Sequence, residues 1–121
     1  MEEIGIDAQL VEEIRKGNKY IEARLGKPRF LKIHEDDIIA IREDLYIDDE
    51  IVDAIPDALR IKITEVLYFE TFLEMLNAVD HKGLVPSAKT VEDALETYRK
   101  FYTEADEDEY GVVAFYFEVV A

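Results

Sequence analysis

Apolar positions follow two rhythms along this chain, one with a period near 3.6 and one of strict alternation, and each predicts a different element. Glu3 to Ile6 is short and apolar enough for a first strand. Asp7 reads as a helix N-cap, with Leu10, Val11 and Ile14 following on one helical face, and Gly17 as the stop. From Lys19 to Leu25 the order KYIEARL sets Ile21, Ala23 and Leu25 on one side and Tyr20, Glu22 and Arg24 on the other, which predicts a half-buried strand. Gly26-Lys27-Pro28 breaks it. Phe30, Leu31 and Ile33 anchor a connecting segment, and the polar turn His34–Asp37 precedes a strand from Ile38 to Arg42. Residues 43–58 read as a long acidic connection with scattered apolar positions. Leu59–Phe69 is the clearest strand of all, since Leu59, Ile61 and Ile63 share one parity.

A helix with Phe72, Leu73, Leu76 and Val79 inward comes next, then a loop over 81–87. Thr90 caps a helix reaching Tyr102, whose buried stripe is Val91, Ala94, Leu95, Tyr98 and Phe101. Gly111–Val120 closes the chain as a strand rich in β-branched and aromatic residues. The order β-α-β-β-β-α-α-β predicts one mixed α+β domain over residues 1–121, built on a curved sheet or small barrel.

Composition narrows the function. The 121 residues are 49% hydrophobic and 36% charged, enough for one core and a solvated surface. No cysteine is present, so thiolate chemistry and disulfides are excluded and a cytoplasmic setting is expected. The acidic start MEEIGIDAQL is unlike a signal peptide, and no apolar run is long enough to span a membrane. The net charge of −15 repels phosphate in bulk. Residues 15–32, however, hold seven of the fourteen basic residues against one acid, a net +6 that leaves −21 for the remainder.

No phosphate loop, dinucleotide fingerprint or GxSxG occurs, and His34 and His81 lack metal-ligand spacing; no metal or cofactor is expected. The chemistry that remains lies in KGNKYIEARLGKPR. Gly17 allows a tight turn from helix to strand. Lys19 stands at the strand's mouth as a point charge, or as an amine that gives up its proton if desolvated. Glu22 and Arg24, two apart, leave the same face, so the acid can orient the guanidinium fork. Parity sets Lys19 on the apolar face unless the turn redirects it.

The spacing Gly17-x-Lys19-x-x-Glu22-x-Arg24 is similar to the GxKxxExR signature of the ASCH domain family, a branch of the PUA-like superfamily. The similarity runs on through RLGKPRFLKIHEDDIIAI, IKITEVLYFETFLEML and ETYRKFYTEADEDEYGVVAFYFE. The resemblance implies a small β-barrel of about five or six mixed strands flanked by three helices. It also implies a cleft, lined by the signature residues, for RNA or a modified nucleoside. Some members resembling this chain hydrolyse N4-acylated cytidine with a Lys, a Thr and a Glu. Lys19 matches the Lys, Glu22 stands where those enzymes carry Thr, and Asp80 falls near the Glu. Other relatives cleave single-stranded RNA.

Three expectations follow. A binding module would hold single-stranded RNA, a nucleoside or a nucleotide through Gly17, Lys19, Tyr20, Glu22, Arg24, Lys27 and Arg29, with Tyr20 or Tyr102 stacking on a base. A hydrolase would use Lys19, Glu22 and Asp80 as its catalytic groups. An adaptor would meet a partner protein through the acidic 43–57 segment.

Overall fold

The structure, a computed structural model, describes residues 1–120. Five strands form one mixed sheet in the order β1-β3-β4-β5-β2: β1 (Glu3–Asp7), β2 (Ile21–Leu25), β3 (Ile38–Ile47), β4 (Glu50–Phe69) and β5 (Val112–Val120). Among the described residues only β1 and β3 pair in parallel. The three expected helices are α1 (Ala8–Arg15), α3 (Phe72–Ala78) and α5 (Val91–Arg99). Three shorter ones join them: α2 (Pro28–Leu31), α4 (His81–Leu84) and α6 (Glu104–Tyr110). Among the described residues no helix is long and apolar enough to cross a membrane.

Alternation along β5 divides the interior into two cores. Val113, Phe115 and Phe117 point into the concave side of the sheet, where Ile39, Ile41, Ile61 and Ile63 meet Val11 and Ile14 of α1. Val112 and Ala114 point outward with Ile21, Ala23 and Leu25, under Phe72, Met75 and Leu76 of α3 and Ala94 and Tyr98 of α5. Strand β2 is therefore covered on both faces, not half-buried as its alternation suggested: Glu22, 7% exposed, faces the concave side opposite Phe115.

Residues 43–58 are the largest correction. The segment is a two-stranded ribbon in which β3 runs on to Ile47 and β4 begins at Glu50. Asp48 and Asp49 turn the chain with φ of 52° and 65°, the two positive angles that a two-residue hairpin loop requires. Between the pairs Ile41↔Leu59 and Glu43↔Ile55 the register jumps, and the bulge takes up Pro56, which could not sit in a regular central strand. Two inward assignments also change. Leu73 is 45% exposed, and Phe101, past the end of α5, is 68% exposed.

The sheet curls without closing a ladder between β1 and β2. The carbonyl of Glu2 accepts from the N–H of Ala40 on β3, so by alternation those of Glu3 and Gly5 face the other way. Arginines fill that side. Arg24 Nη2 donates to the Gly5 carbonyl (2.7 Å), and Arg29 donates to that of Glu3. Two guanidinium groups thus stitch the seam of the barrel.

A buried ionic cluster beside an open concavity

The end of α1 builds the first half of the site. Gly17 N–H donates to the Ile14 carbonyl, and Asn18 and Lys19 N–H both donate to that of Glu13. Gly17 sits at φ +82° with open space around it, so the backbone angle, and not crowding, calls for glycine there. This turn swings Lys19 inward. The residue is 2% exposed, and Nζ donates to the carbonyls of Ile21 (2.7 Å) and Leu84 (2.8 Å) and to Glu22 Oε1 (3.4 Å). Three acceptors match the three protons of an ammonium.

Glu22 is the hub. Its Oε1 also accepts from the N–H of Ala23 (3.1 Å), and its Oε2 accepts from Arg24 Nη2 (3.3 Å). Burial works to raise the Glu22 carboxyl, but the Lys19 and Arg24 charges overcome it and hold the group below its ordinary value, ionised. Burial lowers Lys19 despite the attraction of Glu22, with Arg24 acting in the same direction as burial. For Arg24, burial is outweighed by Glu22 and the net direction is up. Tyr98 and Tyr102 flank the cluster, and burial raises both phenols. Both rings stack on Phe72, at centroid distances of 4.6 and 5.2 Å, so Tyr102 is committed to packing.

The other expected residues separate from this cluster. Tyr20 donates its hydroxyl to Asp80 Oδ2 (2.7 Å), a bond that pushes the phenol up to about 12 and lowers Asp80. Asp80 caps α4 by accepting from the N–H of Lys82 and is not among the acceptors of Lys19. Lys27 lies over the ring of Tyr110 (5.4 Å), while Arg29 pairs with Glu2 and, like Arg24, lies over Phe30. Arg15, also in the basic segment, pairs with Glu12 and with Glu43 at the root of the ribbon. Four of the seven basic residues of the +6 island are thus ion-paired in place: Arg15, Lys19, Arg24 and Arg29.

A concavity of about 390 Å³ opens beside the turn, between α1 and α4. Gln9, Leu10 and Glu13 line one side, Lys82, Pro86 and Ser87 the other, with Asn18 at the rim beside Gly17. Asn18 Nδ2 donates to Glu13 Oε2 (2.8 Å), which fixes the orientation of the acid in the wall. Lys82 has no ion-pair partner among the described residues. Sequence reasoning missed Gln9 and Lys82 because they belong to two helices far apart in the chain. It also missed Glu107, 4% exposed, which accepts from the Phe72 N–H (2.6 Å) and pairs with Arg99 (2.8 Å). The signal for its helix was present: Thr103 and Asp106 form a capping box at the start of α6.

Comparison with known proteins agrees with this architecture. The family model of the ASCH domain matches residues 4–121. No curated protein matches the sequence. Among solved structures, the crystal structure of hypothetical protein PH0355 has a TM-score of 0.82 at 30% identity, covering 99% of this chain and 100% of that one. The solution NMR structure of protein PF0455 from Pyrococcus furiosus has a TM-score of 0.73 at 27% identity, covering 98% and 96%. The ASCH domain from Lactobacillus crispatus JV V101 is similar in fold, with a TM-score of 0.50 at 16% identity, covering 98% and 79%.

Proposed function

The chain belongs to the ASCH domain family, and from that premise we propose that it binds single-stranded RNA or a free nucleotide at the concavity between α1 and α4, as a cytoplasmic module of RNA metabolism. The observation that carries this reading is the lining. Amide groups from Gln9 and Asn18 and the Ser87 hydroxyl suit the hydrogen-bonding edge of a base, Leu10 and Pro86 give its face an apolar wall, and Lys82 offers charge to a phosphate. The volume lies at the small end of the range typical for ligand sites, about 300–1,000 Å³, which favours one nucleotide over a duplex. Lys19, Glu22 and Arg24 are not among the lining residues.

Saturation of Lys19 favours binding over hydrolysis. A general base needs a free lone pair aimed at its substrate, and a neutral amine here would leave one of three acceptors unpaired. Burial does loosen its proton, which is the one observation on the side of an amidohydrolase acting on N4-acylated cytidine.

An NMR titration with nucleosides, nucleotides and short RNA oligonucleotides separates the readings. Binding shifts the amides of Asn18, Lys82 and Ser87, and Lys82→Ala weakens a phosphorylated ligand by about 1–2 kcal/mol. The salt dependence of binding then flattens by about one phosphate contact. Absence of shifts at those three amides overturns the proposal, and acetate released from N4-acetylcytidine in a Lys19-dependent manner installs the hydrolase in its place.

A further inference from the structure

The ribbon formed by Glu43–Ile47 and Glu50–Ala58 carries more apolar surface than its solvated position explains. Leu45, Tyr46, Ile47, Ile51, Val52 and Ile55 are each 38–56% exposed. Clustered exposed apolar residues of this kind mark interaction surfaces. Residues 43–58 also contain seven acids and no base. The pairing arranges the two chemistries as a checkerboard, because Leu45 lies opposite Asp53, Ile47 opposite Glu50 and Ile55 opposite Glu43. Like charges set directly across from one another are destabilising, so the acids disfavour edge-to-edge pairing of two ribbons.

The complement is found on α2. There Leu31 is 44% exposed, and the flanking Lys27 and Lys32 make no ion pair among the described residues. Lys27 and Lys32 are the residues that bound α2 at its two ends. Ribbon and α2 are both exposed in the isolated chain, so neither covers the other within it. We propose that the acidic, aliphatic ribbon of one copy seats on the lysine–leucine–lysine surface of α2 in a second copy, reciprocally, to form a twofold dimer. A reciprocal contact closes on itself and does not propagate into a filament. The overall charge of −15 on each copy opposes the encounter. At a physiological ionic strength of about 0.15 M, screening beyond roughly 8 Å suppresses that repulsion while pairs in contact are retained. This surface is separate from the nucleotide concavity and does not depend on it.

Charge exchange followed by mixing tests the arrangement. Sedimentation equilibrium at about 0.15 M salt compares three proteins: the wild type, a ribbon variant (Glu50→Lys with Asp53→Lys) and an α2 variant (Lys27→Glu with Lys32→Glu). The wild type is expected to dimerise at micromolar concentrations, and each variant alone to dimerise at least about tenfold more weakly. In an equimolar mixture both contacts again join opposite charges, and the dimer returns as a heterodimer. That rescue also shows that both variants are folded. A wild type monomeric up to about millimolar concentration, a dimer indifferent to either variant, or a mixture that stays monomeric overturns the proposal.

Discussion

Lys19 shows how one residue can be a prominent cation in sequence and a buried, fully bonded one in the fold. In the primary structure it is a cation at the entrance to a strand. In the fold it bridges β2, α4 and Glu22, and each of its protons has an acceptor. Replacing one member of such a buried pair leaves the other with less compensation for its buried charge, and the loss runs up to about 3–5 kcal/mol. Lys19→Met and Glu22→Gln should each destabilise the domain on that scale. The double variant should cost clearly less than the two added together, and chemical denaturation of all four proteins measures the coupling. Additivity within error would mean that the two groups ignore each other.

At the level of elements, legibility followed the range of the interaction. The strand from Ile21 to Leu25 and helices α1 and α5 were visible because alternation and helical spacing are local properties. What local pattern could not show was the second face of β2. Glu22 and Arg24 look like solvent-facing polar residues until the sheet curls and covers them. The ribbon was missed for a different reason. Its loop uses two aspartates where glycine would be the plain signal, and a bulge around Pro56 disguises the alternation of β4. Those aspartates make a prediction. Asp49 holds a φ of 65° that costs a residue with a Cβ more than it costs glycine. Asp49→Gly should therefore stabilise the fold by about 0.5 kcal/mol, whereas Asp49→Ala, which removes the same charge and keeps the Cβ, should not. Thermal unfolding of the pair distinguishes backbone relief from charge relief.

For the whole molecule, the buried cluster links stability to pH. Glu22 is held below the ordinary value of 4.5, so its contribution is complete above that pH and is lost as pH falls toward the folded-state value. Lys19 is lowered from 10.5, a cost to folding where Glu22 is a contribution: the folded state binds that proton more weakly, and the cost is relieved as pH rises toward 10.5. Both slopes have the same sign. Unfolding temperatures should fall on acidification below about 4.5, and the fall should be shallower in Glu22→Gln, measured by calorimetry across pH 3–7. An identical profile in the variant would assign acid sensitivity to the other carboxylates.

The stitched seam bears on how the protein behaves in a crowded solution. A guanidinium supplies donors only, so once Arg24 and Arg29 occupy the outward carbonyls of Gly5 and Glu3, an incoming strand finds fewer free acceptors along β1. A ladder needs donors and acceptors in alternation, and here the acceptor half of the template is already taken. The arginines that shape the barrel thereby also blunt its rim against β-aggregation, a protection that neutral substitutions at either position would remove even where the fold survives.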